Sequence, residues 1–223
     1  MVLPTWVYDG RRRELAATAF ESLAKTMRPS EPALLLVVRK SSIFEEPTLP
    51  QGDFGETVCV DEPPEVGGTE QTLAWGTQYI FDNWPEVTHA VWLGDDALFN
   101  PRWLIELEAL IGRHPDARAH SVYRSAYEQI HKTLIETESD AMVRSLCGHG
   151  LTFTREEWRA WGIDWRHGKI WSCPTGGETL DLYHSWARPG ERWVTRQSYV
   201  QHTGLWGVHC RPGIPEHAQN FSQ

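Results

Sequence analysis

Residues 91–101 read Val-Trp-Leu-Gly-Asp-Asp-Ala-Leu-Phe-Asn-Pro, an apolar run followed by two adjacent carboxylates and a helix-opening Asn-Pro pair. The apolar run predicts a buried strand that ends near residue 93. Asp95 and Asp96 then fall at the carboxyl end of that strand, where ligands gather in open α/β sheets. Adjacent carboxylates there suit Mg2+ or Mn2+, which take oxygen ligands and leave positions free for phosphates. Since Asp is also common in turns and caps, the pair by itself has a purely structural alternative.

Short apolar segments alternate with amphipathic helical segments on both sides of this stretch. The alternation predicts an α/β fold, with a mostly parallel central sheet flanked by helices and a small second antiparallel element. The predicted strands are residues 5–8, 33–39, 57–60, 89–93, 119–123, 142–147, 192–194 and 198–202. Five helices are predicted, the first over residues 11–27 and the last over residues 180–187. Between them, Thr69 caps a helix that carries Leu73, Thr77, Ile80, Phe81 and Trp84 on one face. Asn100 and Pro101 open a helix that runs to Gly112, and a short helix follows the capping box 154–157.

Composition bounds the class of protein. The chain has 223 residues, 40% of them hydrophobic, and no repeat or linker divides it, so we expect one domain over residues 1–223. The 21 basic and 30 acidic side chains give a net charge of -9, which opposes unspecific binding to nucleic acids or anionic membranes. The apolar runs are far shorter than the roughly 20 residues of a membrane span. The four cysteines form no Cys-x-x-Cys pair and the first residues do not suit a secretory signal, so we expect a cytoplasmic protein with reduced thiols.

A histidine motif lies in the last third of the chain. Residues 199–204 read Tyr-Val-Gln-His-Thr-Gly, which places His202 at the end of a short strand and close to a glycine. A neutral imidazole can ligate Mn2+. A single histidine is nevertheless more often a packed or turn residue than a ligand, so this motif also has a structural alternative.

A pair of acids follows a double glycine. Residues 175–182 read Thr-Gly-Gly-Glu-Thr-Leu-Asp-Leu, a spacing that puts Glu178 and Asp181 on one face of a helix. A carboxylate so placed can act as the general base that takes a proton from an attacking hydroxyl. The alternative is that both acids only stabilise the first turn of a helix through its dipole.

Taken together and in this order, the three motifs resemble those of GT-A glycosyltransferases of a family 2-like type. The resemblance covers about residues 4–206, and Gly94 stands where that family commonly has the first of three acids. It implies Mn2+ or Mg2+ as cofactor, Asp96 and His202 as metal ligands, and Asp95 near the metal or the donor ribose. It also implies transfer of a sugar with inversion from a nucleotide sugar, most simply a UDP-sugar, to an acceptor hydroxyl.

The same resemblance divides the chain into a donor half over about residues 4–100, an acceptor and catalytic half over about 101–206, and a tail over 207–223. The remaining site residues that it implies are donor contacts at Tyr8, Asp9, Arg11 and Gly68, acceptor contacts at Trp171, Gly177 and Trp206, and a base at Glu178 or Asp181. Thr179 replaces the acid that usually follows the first, so the base stays open between those two. The acceptor class stays open among a glycan, a lipid-linked sugar, a small molecule and a modified nucleic-acid base.

Other functions use the same residue types. A metal-dependent nucleotidyltransferase or phosphoesterase also needs Asp and His, although the sequence has no Gly-rich phosphate loop. The 12 tryptophans are an excess that predicts some indole rings on a surface or cleft. In a noncatalytic carbohydrate-binding module the platforms would be Trp161, Trp165, Trp171, Trp186, Trp193 and Trp206. A structural zinc site would draw on Cys147, His149, Cys173, His202, His209 and Cys210, but their spacing matches no zinc motif.

Overall fold

The computed structural model describes residues 1–5, 7, 9–40, 52–53, 55–126, 132–146, 148–162, 190–203, 218 and 220–221, without the side chain of Thr69. The strands are β1 Val2–Thr5, β2 Ala33–Arg39, β3 Gly55–Asp61, β4 His89–Val91, β5 Ala97–Phe99, β6 Ala119–Ser121, β7 Thr133–Glu136, β8 Asp140–Val143, β9 Thr152–Thr154, β10 Arg192–Thr195 and β11 Val200–His202. The helices are α1 Gly10–Leu23, α2 Thr69–Asn83, α3 Trp103–Arg113 and α4 Arg155–Trp161.

The strands form three hydrogen-bonded groups. The first is parallel in the order β1-β2-β3, and the second is a mixed sheet in the order β4-β9-β6-β10-β8-β7. A parallel bridge from Val2 to Trp92, with the Leu93 N–H donating to the Val2 carbonyl at 2.9 Å, joins β1 to the end of β4. The third group is the antiparallel pair β5 and β11. The predicted α/β class is therefore confirmed, with parallel pairing in the first half and mixed pairing in the second.

The first sheet carries the core on both faces because its side chains alternate. Val2 and Leu36 belong to a cluster with Ile80 of α2 on one face. Leu3 belongs to a second cluster with Phe20 of α1 on the other face. A strand buried on both sides must be apolar at successive positions, and β2 has the bounds that its continuous apolar run predicts.

One local signal acts as the sequence predicts, and one glycine sets a close contact that the sequence analysis did not predict. Thr154 is the N-cap of α4, and its hydroxyl accepts from the Glu157 N–H at 3.0 Å. Gly76 lets α2 approach the sheet, since a Cβ there would lie 2.7 Å from Val2 Cγ1 and 3.0 Å from Val38 Cγ2. Both features fix how a helix meets the sheet.

Other boundaries differ from the predictions. The first strand occupies Val2–Thr5 instead of residues 5–8. The carbonyl groups of Met1 and Thr5 accept from β2, so Pro4 points its missing N–H away from that ladder and the strand tolerates it. The strand β8 covers Asp140–Val143 instead of 142–147, and β7, which is exposed along its whole length, has no apolar alternation to reveal it.

Helix ends also shift. The helix α1 ends at Leu23 instead of residue 27. The N-cap of α2 is Gly68, so Thr69 is the first helical residue and not the cap. The Asn100 side chain accepts from the Arg102 N–H at 2.8 Å, which makes Asn-Pro a turn before α3 and not its first turn.

Tryptophan serves the core more than the surface. Among the tryptophans that the structure describes, five indoles are buried, those of Trp92, Trp103, Trp158, Trp161 and Trp193. Trp161 packs edge-on to Trp92 with ring centroids 6.0 Å apart, and Trp193 stacks on His114 at 3.6 Å. The alternative in which Trp161 and Trp193 are carbohydrate platforms is therefore wrong, because both indole rings are buried among side chains of the protein core. The other proposed platforms, at 165, 171, 186 and 206, lie outside the described residues.

In the described part of the chain no helix has both the length and the apolar character to cross a bilayer.

His120 gives the stability of the fold a dependence on pH. Its ring is buried, with Nε2 2.8 Å from the His114 carbonyl oxygen, and burial lowers its pKa from 6.5 to about 4. The unfolded chain takes up this proton near pH 6.5 and the folded chain only near pH 4. The stabilisation that the neutral His120 contributes should therefore be fully present above the pKa of the unfolded chain. The free energy of unfolding should fall by about 3 kcal/mol as the pH drops from there to the pKa of the folded chain.

The variant His120→Gln tests this, because its amide can still donate to the His114 carbonyl but does not titrate. Chemical denaturation at intervals between about pH 7 and pH 4 should give a shallower loss of unfolding free energy for the variant than for the parent. Equal slopes would mean that His89, Asp140 or other groups set the acid sensitivity.

Candidate metal centre

The pairing of β5 with β11 brings distant parts of the sequence to one place. His202 lies opposite Ala97 in this antiparallel pair. The backbone N–H and the hydroxyl of Thr203 both donate to the carbonyl of Asp96, at 2.7 and 2.8 Å. The last residue of β11 is thereby fixed beside the residue that precedes β5.

A turn at residues 148–150 supplies a third side chain. The Gly150 N–H donates to the Trp92 carbonyl at 2.8 Å, and the Trp92 N–H donates to the Leu151 carbonyl at 2.9 Å. Gly150 has a φ of +71°, which favours glycine at that position. These bonds hold the turn against the end of β4, and His149 at its tip faces the carboxyl edge of the strand.

Asp96, His149 and His202 form one cluster. Each offers a ligand atom, and these atoms all lie within 4.8 Å of one another. The Asp96 Oδ2 is 3.3 Å from the His202 Nε2, and the two imidazole rings stack with centroids 4.3 Å apart. Adjacent ligands bound at about 2.1 Å to one octahedral ion are about 3 Å apart. The distance between Asp96 and His202 is close to this spacing, and His149 is near enough to be a third ligand of a divalent cation. Among the described residues this is the one group of His, Cys, Asp and Glu that has such a geometry.

Gly94 is a condition for this cluster. A Cβ at residue 94 would lie 2.8 Å from the Asp96 Oδ1 and 2.9 Å from two ring atoms of His149. His149 therefore occupies the space into which a side chain at this position would project. Where the resembling family has an acid, this chain has a glycine and an imidazole from another segment.

A guanidinium group completes the polar environment. Arg12, in the first turn of α1, forms a close ion pair with Asp95, and its Nη1 lies 3.1 Å from the Asp96 Oδ2. The side chains of Asp95 and Asp96 are only 8% and 14% exposed, so this pairing offsets a charge that burial would penalise. Asp95 thus contacts an arginine at the place where the sequence predicted a metal or ribose contact.

The electrostatics keep Asp96 ionised. Burial by itself would raise its pKa, but the hydrogen bond from His202 and the charges of His149, His202 and Arg12 lower it well below the usual range. An ionised carboxylate beside two imidazoles is a donor set for a divalent ion. Two nitrogen ligands suit Mn2+ better than Mg2+, which favours an all-oxygen shell.

The other predicted site residues have different surroundings. Asp9 is the N-cap of α1, and its Oδ1 accepts from the Arg12 N–H at 2.8 Å. Arg11 is exposed, and Gly68 is the N-cap of α2. The donor roles of these three stay predictions. The remaining predicted site residues lie outside the described residues: Tyr8, Trp171, Gly177, Glu178, Asp181 and Trp206.

Sequence reasoning missed His149 of this cluster, and it also missed Arg12, which pairs with the acids beside it. His149 was weighed only for a zinc site, whose members Cys147, Cys173, His209 and Cys210 lie outside the described residues. Its signal in the sequence is the Gly-His-Gly turn after a strand. Arg12 is the middle one of three consecutive arginines, and nothing in the sequence separates it from its neighbours.

No protein-family model and no curated protein matches the chain. Solved structures do match it. GalNAc-T7, crystallised with UDP, GalNAc and Mn2+, superposes with a TM-score of 0.61 at 15% identity, over 96% of this chain and 44% of that one. S. aureus TarS 1-349 gives a TM-score of 0.61 at 12% identity, over 92% of this chain and 60% of that one. The complex of TarS 1-349 with UDP-GlcNAc gives 0.55 at 11% identity, over 93% and 61%.

These neighbours are GT-A glycosyltransferases, and this chain has their fold. It spans less than two thirds of either neighbour's chain.

Gly94→Ala should weaken binding of Mn2+ while leaving the fold intact, because the added methyl group displaces Asp96 or His149. A shifted ligand typically costs about 10- to 100-fold in metal affinity. Titration calorimetry with MnCl2 in the presence of UDP measures this. The matched control is Gly112→Ala in α3, where a Cβ meets nothing within 4 Å. Parent-like Mn2+ affinity in Gly94→Ala would contradict the assignment.

Proposed function

We propose that the chain is a metal-dependent glycosyltransferase that moves a sugar from a UDP-sugar to an acceptor hydroxyl with inversion. The observation that carries the proposal is the cluster of Asp96, His149 and His202 at the carboxyl ends of strands in a GT-A fold. A GT-A neighbour crystallised with UDP and Mn2+ supports the choice of ligands. The donor sugar is open, and so is the acceptor class.

The chemistry follows from what each side chain can do. Asp96, His149 and His202 would hold the cation, with Mn2+ favoured by the two imidazoles. A cation held there would supply positive charge that offsets the charge developing on the diphosphate of the departing nucleotide. Glu178 or Asp181 would take the proton of the acceptor hydroxyl as that oxygen attacks the anomeric carbon. The leaving UDP would depart from the opposite face, which inverts the configuration.

The test is the release of UDP from a panel of UDP-sugars with and without Mn2+, and with candidate acceptors. We expect Mn2+-dependent UDP release by the parent. Asp96→Ala and His202→Ala should abolish both this release and the Mn2+-dependent thermal stabilisation by UDP, because each removes a ligand from the cluster. His89→Gln is the matched control, a histidine change outside the cluster that should behave like the parent.

The products separate the competing functions. A glycosyltransferase breaks the bond between the anomeric carbon and the diphosphate and leaves UDP. A phosphoesterase breaks a P–O bond of the diphosphate with water and leaves UMP and a sugar phosphate. A nucleotidyltransferase breaks the same bond, leaves the sugar phosphate and transfers the UMP group to its acceptor. Release of UMP would contradict the proposal, and binding of free glycans without any nucleotide or metal dependence would favour a binding module instead.

The base is tested by Glu178→Gln and Asp181→Asn. A general base contributes about 10²- to 10⁴-fold, so the variant that removes it should lose transfer by that factor while its affinity for Mn2+ and UDP stays near the parent value. We expect this selective loss in Glu178→Gln, with Asp181→Asn as the matched control. The reverse result would assign the base to Asp181. No selective loss in either variant would count against inversion.

A further inference from the structure

Arg12 is bound to the acids of the candidate metal centre. Its guanidinium contacts both Asp95 and Asp96, and its side chain is 16% exposed. The Nε of Arg12 is buried and has no hydrogen-bond partner among the described residues. The hydrogen bonds of this guanidinium to described side chains thus all go to the two acids.

The contact falls on the atom that the cation would use. The Asp96 Oδ2 lies 3.1 Å from the Arg12 Nη1 and 3.3 Å from the His202 Nε2. A divalent ion between Asp96 and His202 would therefore sit close to a fixed positive charge in a largely buried site. Repulsion between such charges is much stronger there than in water.

We propose that Arg12 is a resident counter-ion that competes with the divalent cation for Asp96 and so suppresses binding of the free ion. This inference rests on the proposed metal site. A cation that brings a diphosphate brings negative charge with it, which offsets the repulsion from Arg12. The arginine thereby favours the cation–nucleotide complex over the bare cation.

The experiment measures binding of Mn2+ alone and of Mn2+ with UDP to the full chain, by titration calorimetry and by the EPR signal of free Mn2+. Arg12→Met removes the charged guanidinium and keeps an unbranched apolar stem that reaches about as far as the arginine Nε. We expect it to bind Mn2+ alone about 10- to 100-fold more tightly than the parent, which is the usual size of coupling between two sites. Arg13→Met is the matched control, since Arg13 is exposed on the same helix and its loss changes the net charge equally.

Stability gives a second readout, because Arg12→Met removes the guanidinium that pairs with two largely buried carboxylates. The variant should melt below the parent without metal, and Mn2+ should raise its melting temperature more than that of the parent. If the variant does not fold without metal, it should fold when Mn2+ is added. A variant that stays unfolded at saturating Mn2+ would overturn the inference.

The remaining outcomes are separable. Equal affinity of the parent and Arg12→Met for Mn2+ alone, with weaker binding of Mn2+ plus UDP by the variant, would make Arg12 a phosphate ligand and overturn the competition only. If Arg13→Met binds Mn2+ alone more tightly by the same factor as Arg12→Met, the gain in affinity comes only from the change in net charge. That result would also overturn the proposed competition. Failure of every protein to bind Mn2+, with or without UDP, would overturn the inference together with the proposed metal site.

Discussion

The antiparallel pairing of β5 with β11 is the constraint on which the candidate metal centre depends. It places His202 opposite Ala97, and Thr203 closes the arrangement with two hydrogen bonds to the Asp96 carbonyl. The turn that carries His149 is tied to the end of β4 by backbone bonds to Trp92. The backbone that carries each candidate ligand is thus held in place mainly by main-chain hydrogen bonds of its strand or turn. A site held in this way is organised before a ligand arrives, which is what tight and specific binding requires.

The elements that the sequence predicted well are those with strong local causes. The strand β2 is buried on both faces, so its bounds coincide with an unbroken apolar run. The helix α4 begins where a Thr-x-x-Glu capping box predicts it. The elements that were missed or shifted have weaker local causes. The strand β7 is exposed at every position, and β1 begins at residue 2 because its pairing with β2 and β4, and not its own pattern, sets its limits.

The site was predictable only in part, for the same reason. The resemblance of their motifs named Asp96 and His202 together, and the structure brings these two side chains into one cluster. His149 could not be named from the sequence, since its role comes from a tertiary contact with Gly94 and not from spacing along the chain. Arg12 could not either. Three arginines in a row point about 100° apart around a helix, and only the packing of α1 decides which one meets the acids.

Charge explains why glycine, imidazole and guanidinium occur together here. With both imidazoles neutral, as metal ligands must be, the two carboxylates of Asp95 and Asp96 against the one guanidinium of Arg12 leave one net negative charge at the centre. A third acid at residue 94 would double it, and such a pocket would bind free divalent ions strongly. With His149 in that space, a ligand atom is still offered to the cation, but the additional negative charge of a third acid is missing. A divalent ion then leaves the pocket positive, and a diphosphate can restore balance. If the proposed function holds, His149 in place of an acid and the presence of Arg12 act in the same direction, since both would favour a cation that arrives with a nucleotide.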